Sequence, residues 1–237
     1  MVHLLLGALV VGVAFGGHGQ TDQSGAFRTI AGAPLGMALL WVLAVLLIAL
    51  GVYNLVQCFV ASGGSAADRW KHRATHAGQA VVFAALGVVA ARVALGSRPN
   101  GDRSAETASR DVLSLPGGPV LLGLVGAGVV IGGIVFAARG VRKSFLKKVN
   151  LPGGRVGSAV TVLGEVGYLA KGVALAIVGA LLVLAAVKVD PKQAGGLDAA
   201  MHTLLGLPFG PALVACAGVG FAAYGLYLFF RARYAKL

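Results

Sequence analysis

The chain has 237 residues, a mean hydropathy of +0.85 and only 12% charged residues. A soluble domain carries about 25% charged residues, so this composition excludes an ordinary soluble globular domain and favours an integral membrane protein. The net charge of +12 would suit a nucleic-acid partner in a soluble protein. Its distribution along this chain favours membrane orientation instead, and no nucleic-acid partner is expected.

Six apolar segments follow one another along the chain, and each predicts a transmembrane helix, because about 20 apolar residues cross a bilayer. They lie at about 1–16, 37–60, 76–96, 118–138, 164–187 and 209–230. The apolar runs are too continuous for the alternating strands of a membrane barrel. The first run, of roughly 16 residues, reaches about 24 Å, which is less than the roughly 30 Å apolar core of a bilayer.

Basic residues are in excess in three of the connections, and these lie on the same side of the predicted spans. The segment 61–75 has three basic residues against one acidic, 139–163 has six basic and no acidic, and the tail after 230 has three basic. The other three connections are balanced. The positive-inside rule therefore predicts a multi-pass protein of the bacterial inner membrane with both termini in the cytoplasm.

A repeated octapeptide, Thr-x-x-Gly-x-Pro-x-Gly, occurs at 29–36 and again at 203–210, 174 residues later. A shift of 82 residues places Pro116 and Gly118 on the same pattern, in a degenerate middle copy. The chain therefore reads as three two-span units, about 1–62, 68–145 and 155–237, within one integral membrane domain, 1–237. Two spans per unit keep every copy in one orientation, so we expect an all-α bundle of six transmembrane helices, three parallel hairpins around a pseudo-three-fold axis.

The octapeptide predicts a corner rather than an active site. Each copy follows a short amphipathic stretch that is expected to lie in the outer interface, with Ser24 and Asp198 as N-caps of the first and third. Glycine then ends the short helix and proline turns the chain into the next span. The corner residues are Gly32, Pro34, Gly36, Pro116, Gly118, Gly206, Pro208 and Gly210. Arg28, Arg110 and His202 share one position on the polar side, where they could contact lipid phosphates or simply face solvent.

Polar residues near the membrane are few. Glu165, Tyr168 and Lys171 lie at the cytoplasmic start of the fifth span, and His76 and Gln79 hold the matching place in the third. Intramembrane ionisable groups are the usual functional candidates, so these five could line a cytoplasmic vestibule. The alternative is interfacial anchoring, in which the long side chains extend toward the headgroups.

No set of residues has the pattern of a catalytic or metal site. The centre of each span lacks a carboxylate, no His, Cys and carboxylate cluster has metal spacing, and no cofactor is expected. Cys58 and Cys216 both lie in apolar segments and read as small buried side chains. Gly-x-x-x-Gly pairs such as Gly128 and Gly132 predict close helix packing.

The third unit resembles a known family through four pieces: GYLAKG at 167–172, GGLD at 195–198, TLLGLPFG at 203–210 and RARY at 231–234. The family is the bacterial membrane family catalogued as domain of unknown function 1206, and the resemblance covers essentially the whole chain. It implies six spans in three hairpins and carries no biochemical activity or catalytic residue. Members usually have a polar stretch before the first span, which suggests that the native start lies upstream of Met1 or that the first span is short.

Two functions remain open at this point. The first is a non-enzymatic membrane protein that interacts with membrane lipids, a protein partner or a second copy of itself within the cell envelope. The second is a transporter or channel for a small solute or lipid-like substrate along the pseudo-three-fold axis. A polar-lined cavity along the axis would favour the second, and tight glycine and alanine seams or a lipid-filled groove would favour the first.

Overall fold

The computed structural model describes residues 2–17, 19–60, 65–149 and 154–234, and in these ranges the chain is helical and forms no strand. Nine α-helices lie in the described ranges: α1 Val2–Ala14, α2 Gln23–Ala31, α3 Gly36–Val60, α4 Ala66–Ala94, α5 Gly101–Leu113, α6 Gly118–Val141, α7 Arg155–Lys188, α8 Leu197–Leu205 and α9 Gly210–Arg233. Two short 3₁₀ helices, Ser144–Lys148 and Pro191–Gln193, lie on either side of α7 in the sequence.

Five of these helices, α3, α4, α6, α7 and α9, are long and apolar enough to cross a membrane. They coincide with the second to sixth predicted spans, so the chain is a multi-pass helical membrane protein by length and composition. The predicted first span corresponds to α1, which has only 13 residues and is about 20 Å long. Six full spans are therefore not observed, because α1 is too short for a bilayer of ordinary thickness.

The chain divides into two compact units. The smaller one, Phe27–Pro99, contains α3 and α4, which pack antiparallel along a seam of small residues. A Cβ on Gly51 would lie 3.2 Å from the Ala84 nitrogen, and a Cβ on Gly87 would lie 3.3 Å from the Ala44 carbonyl oxygen. The seam thus brings the two backbones into close contact, as small residues allow in lipid.

The larger unit, formed by Met1–Ala26 and Asn100–Leu237, has two seams of the same kind. Between α6 and α7, a Cβ on Gly133 would lie 2.6 Å from the Gly172 carbonyl oxygen, and one on Gly126 would lie 3.0 Å from that of Gly179. Between α1 and α9, a Cβ on Gly7 would lie 2.7 Å from the Gly218 carbonyl oxygen. No larger side chain fits these positions unless the helices separate.

The three seams use equivalent residues. Positions 44, 126 and 218 are related by the repeat shifts of 82 and 174, and they meet Gly87, Gly179 and Gly7 respectively. Each seam joins the second span of one repeat to the first span of another, and α7 and α9 of the third repeat also pack together where Gly167 meets Tyr224. Close helix contacts therefore link different repeats as well as the two spans of the third repeat.

The prediction that Gly128 and Gly132 pack closely against another helix is wrong. A Cβ on either residue would meet nothing within 4 Å, whereas the neighbouring Gly126 and Gly133 lie in the α6–α7 seam. The seam follows a seven-residue spacing, continued by Gly140. The Gly-x-x-x-Gly pattern indicated the right helix but the wrong face, because the spacing alone does not say where the partner helix lies.

The predicted corners are present in all three repeats, with one hydrogen-bonding pattern. Gly36 donates to the Ala33 carbonyl at 2.9 Å, Gly118 to Leu115 at 2.8 Å and Gly210 to Leu207 at 2.8 Å. Pro34, Pro116 and Pro208 stand second in these four-residue turns, and the third residue has a positive φ: Leu35 at 62°, Gly117 at 75° and Phe209 at 61°. Proline second and a left-handed residue third are the features of a type II turn.

The glycines of the corner have different roles from those predicted. Gly206, which ends α8, is right-handed with φ −73°, and a Cβ on it would lie 3.6 Å from the Thr203 carbonyl oxygen, so it needs no special conformation. Gly210, by contrast, lies so close to the Leu205 backbone that a Cβ would collide with it. Gly32 and Gly36 repeat this difference, and Ser114 takes the place of the first glycine in the middle copy.

The predicted N-caps of the short helices are both wrong by two residues. α2 begins at Gln23, and the Asp22 carboxylate accepts from the Gly25 N–H at 2.9 Å, which makes Asp22 the capping residue rather than Ser24. Gly196 is the N-cap of α8, and Asp198 lies in its first turn. Both acids still favour the helix start, because a carboxylate there complements the helix dipole.

Three carboxylates tie the starts of the short helices into a closed ring. Asp22 Oδ2 accepts from the Gly101 N–H at 3.1 Å, and Asp102 Oδ1 accepts from the Gly196 N–H at 2.7 Å. Asp198 Oδ1 completes the ring by accepting from the Thr21 N–H at 2.8 Å and from the Thr21 hydroxyl at 2.7 Å. Each carboxylate thus links its own repeat to the start of the short helix in another repeat.

Candidate functional site

The predicted polar vestibule falls in both units. Glu165, Tyr168 and Lys171 belong to the larger unit, and His76 and Gln79 belong to the smaller one. The gathering of all five into one ring therefore stays a prediction.

In the smaller unit, His76 Nδ1 lies 2.9 Å from Asn54 Oδ1, a polar link between α4 and α3. Gln79 is exposed. His76 therefore has a structural partner of its own.

Lys171 lies against aromatic rings on α6 and α9. Its Nζ is 4.6 Å from the centroid of the Tyr224 ring and 5.2 Å from that of Phe136. A cation over ring faces is stabilised by about 0.5–2 kcal/mol. In the described part of the chain, Lys171 forms no ion pair.

A cluster of aromatic side chains surrounds this position. Tyr168 stacks on Phe145, with centroids 5.2 Å apart, and meets Tyr224 and Tyr227 edge-on at 5.4 and 5.7 Å. Phe145, Tyr168, Tyr224 and Tyr227 are all buried. Each such edge-on or stacked pair stabilises the fold by about 0.5–1.5 kcal/mol beyond the burial of its surface. The cluster therefore holds the polar groups around it in fixed positions.

Glu165 is paired. Its Oε1 lies 2.7 Å from Lys143 Nζ, with the two side chains 28% and 53% exposed. Lys143 directly precedes the 3₁₀ helix that carries Phe145, so the ion pair helps to hold this helix against α7. Glu165 is therefore already neutralised by a basic partner.

A cavity of about 230 Å³ lies on the Lys171 side of α7. Its polar lining comes from His3, Gln23 and Lys171, and the remaining lining is apolar, from α1, α7, α8 and α9. The His3 ring also meets the Tyr224 ring at 5.0 Å. In the sequence His3 reads as a structural histidine of the first span, because nothing local shows that it shares a cavity with Lys171.

An apolar groove of about 290 Å³ runs between α7 and α9 and ends beneath α8. Val166, Leu169 and Val173 line it from α7, and Leu213 and Cys216 line it from α9. Each of the four aliphatic side chains is at least 40% exposed. At about 100° per residue, these α7 residues lie opposite Tyr168 and Lys171, so the groove and the aromatic cluster occupy different faces of α7.

The three residues predicted to contact lipid phosphates have different partners in the chain. Arg28 Nη2 donates to the Pro99 carbonyl at 2.6 Å, Arg110 pairs with Glu106 at 2.7 Å, and His202 lies 4.0 Å from Asp198. Arg110 and His202 are still more than 60% exposed. Their shared position in the repeat therefore does not give them one shared role, and lipid contact stays a prediction.

The two cysteines are free, with Cys216 exposed and Cys58 half-buried, so the prediction that both are buried is wrong. In the residues that the structure describes, no three His, Cys, Asp or Glu side chains converge in a way that could hold a metal ion.

Comparison with known proteins gives a family and a relative. The family described as Domain of Unknown Function (DUF1206) matches three segments, residues 1–61, 74–143 and 166–235. The chain is 28% identical over 239 residues to the uncharacterized protein YxxB of Bacillus subtilis (strain 168), covering 98% of this chain and 86% of that protein. No solved structure matches the chain. These matches confirm the family resemblance and the three repeats.

Proposed function

We propose that this chain, which belongs to the DUF1206 family, is a non-enzymatic membrane protein that binds a lipid in the bacterial envelope. The observation that carries the proposal is the apolar groove between α7 and α9. It opens on two helices long enough to span a membrane, so the medium around it is lipid. The occupant is an acyl chain of a membrane lipid.

Shape rather than hydrophobicity would retain that lipid. Lipid tails are as apolar as leucine, so an apolar surface alone attracts nothing within a bilayer. A concave groove, however, contacts a chain on several sides, and each close pair of heavy atoms adds about 0.1–0.2 kcal/mol. Leu204 of α8 caps the groove at one end, which would fix how deeply a chain enters.

The proposal places the protein in the inner membrane with both termini in the cytoplasm, as the basic connections indicate. It also arranges the repeats around a pseudo-three-fold axis. Support for that arrangement comes from the ring formed by Asp22, Asp102 and Asp198 and from the three seams built on equivalent residues. A partner protein or second copy in place of lipid stays a prediction, and crosslinks between chains would reveal it.

A lipid with a photoreactive acyl chain tests the proposal. After irradiation in nanodiscs, adducts should concentrate on the two groove segments, 166–173 and 213–217. The exposed face of α6 around Val120, Leu124 and Ile131 is the matched control, because it is equally apolar but convex. Adducts spread evenly over both faces would contradict a lipid-binding groove.

Transport of a small solute is the second candidate, and the cavity lined by His3, Gln23 and Lys171 favours it. One ammonium group, an imidazole and an amide would suit a small anion. Flux of a permeant anion such as nitrate across liposomes containing the pure protein would support transport if a Lys171→Met variant abolished it. Equal flux in protein-free liposomes would reject it.

A further inference from the structure

A second cavity, distinct from the groove, lies at the end of the larger unit where α6 and α9 finish. It has a volume of about 270 Å³. Arg139, in the last turn of α6, and Arg231, in the last turn of α9, both line it, together with the Ser144 side chain from the 3₁₀ helix. The walls are the rings of Phe136, Phe145, Tyr168 and Tyr224.

The positive charge of this cavity is not compensated within the described residues. The nearby acid, Glu165, is held by Lys143 at 2.7 Å. Neither Arg139 nor Arg231 forms an ion pair in the described ranges, and Arg139 has only the Phe136 ring at 5.9 Å. Lys171 adds a third cation behind the aromatic wall, over the Tyr224 and Phe136 rings.

We propose that Arg139, Arg231 and Ser144 bind a phosphate group at this cavity. Two guanidinium forks match the oxygens of a phosphate in paired hydrogen bonds, which lysine cannot reproduce. A hydroxyl can donate to a further oxygen. The volume lies just below that of ordinary ligand pockets, roughly 300–1,000 Å³, so it suits a phosphate with a small substituent such as glycerol.

Membrane orientation alone does not account for this arrangement. Basic residues that only set topology are expected to extend separately into water. Arg142 and Arg233 flank Arg139 and Arg231 on the same helix ends, and neither of them lines the cavity. Exposure does not separate the two pairs, because Arg139 is exposed as well. The chain therefore has two arginines directed to the cavity and two matched arginines outside it.

The phosphate could belong to a lipid headgroup or to a soluble phosphate ester, and the test separates the two sources. The full chain is purified in a neutral detergent. One arm measures retention of phosphatidic acid or phosphatidylglycerol against phosphatidylcholine by native mass spectrometry. The other measures the shift of the thermal unfolding midpoint with glycerol 3-phosphate or inorganic phosphate. Saturable binding in either arm supports the site, and the arm that saturates names the source.

The matched variants decide whether the cavity is responsible. Arg139→Gln with Arg231→Gln should weaken binding at least tenfold, and Arg142→Gln with Arg233→Gln should leave it within twofold. The double variant Arg139→Lys with Arg231→Lys keeps the positive charge but loses the guanidinium forks. Its affinity for the phosphate should lie between those of the two glutamine double variants. Equal loss in both glutamine pairs, or no saturable binding in either arm, would overturn the proposal. Because the cavity and the groove occupy different faces of α7, either proposal can fail while the other stands.

Discussion

Asp102 Oδ1 accepts a 2.7 Å hydrogen bond from the N–H of Gly196, although the two residues lie 94 positions apart. This bond connects the short helix of the second repeat to that of the third. With the matching bonds of Asp22 and Asp198, it makes the three repeats depend on one another at this end of the larger unit.

Removing the Asp102 carboxylate should therefore loosen the ring. Asp102→Ala leaves the Gly196 N–H without its acceptor, and a partly buried group left unpaired costs about 1–3 kcal/mol. For a chain of this length, we expect the thermal unfolding midpoint to fall by about 2–4 °C per kcal/mol. Asp190→Ala is the control, since the Asp190 carboxylate accepts hydrogen bonds within its own turn, from the Lys192 N–H and the Gln193 side chain. Equal shifts of the unfolding midpoint for the two variants would show that the ring of carboxylates does not stabilise the fold.

The ring should also respond to pH. Burial raises the pKa of Asp102, and the nearby Asp198 and Asp22 add to the rise, against hydrogen bonds from the Gly196 and Ala199 N–H groups that lower it. A folded pKa above the unfolded one means that the folded state binds more protons, so this group's contribution to stability falls as pH rises through that window.

Asp102→Asn should thus flatten the pH dependence above the ordinary aspartate pKa of 3.8. The amide keeps an acceptor for Gly196 but carries no charge to titrate. The measurement is the unfolding midpoint of wild type and variant at a series of pH values between 4 and 8. If the difference between them did not change with pH, the raised pKa would be refuted.

The helix seams give a prediction with a neighbouring control. Gly133→Ala would place a methyl group 2.6 Å from the Gly172 carbonyl oxygen, and overpacking of this kind costs about 1–3 kcal/mol. Gly132→Ala meets nothing within 4 Å and should be neutral or slightly stabilising, because alanine favours helix over glycine. Unfolding midpoints of the two variants decide the point. A larger fall in the unfolding midpoint for Gly132→Ala than for Gly133→Ala would mean that α6 packs against α7 through a different face.

The corner glycines should differ in the same way. Gly210→Ala directs a methyl group into the Leu205 backbone, whereas Gly206→Ala gains an ordinary contact at 3.6 Å from the Thr203 carbonyl oxygen. We expect Gly210→Ala to lower the unfolding midpoint by several degrees and Gly206→Ala to change it little. Comparable effects would restore the simpler view that the first glycine is needed to stop the short helix.

Local patterns in the sequence predict much of the fold. The long apolar segments predict α3, α4, α6, α7 and α9. The repeated prolines, Pro34, Pro116 and Pro208, predict the three corners. These features depend on residues close together in the chain, which is why a single sequence reveals them.

The contacts between distant segments could not be predicted in this way. Asp22 and Asp102 read only as charges that balance basic neighbours, and Asp198 as a helix cap, because nothing local shows that each bonds to another repeat. Arg139 and Arg231 read only as orientation signals, since their shared cavity depends on how α6 and α9 meet α7.

The measurement that tests the lipid-binding proposal most directly is the amount of lipid retained by a variant with a filled groove. Cys216 is exposed and lines the groove, and Val219, 59% exposed on the same helix, does not line it. Native mass spectrometry of purified Cys216→Trp should show loss of a phospholipid that both wild type and Val219→Trp retain. The same lipid retained by all three proteins would contradict a lipid-binding groove between α7 and α9.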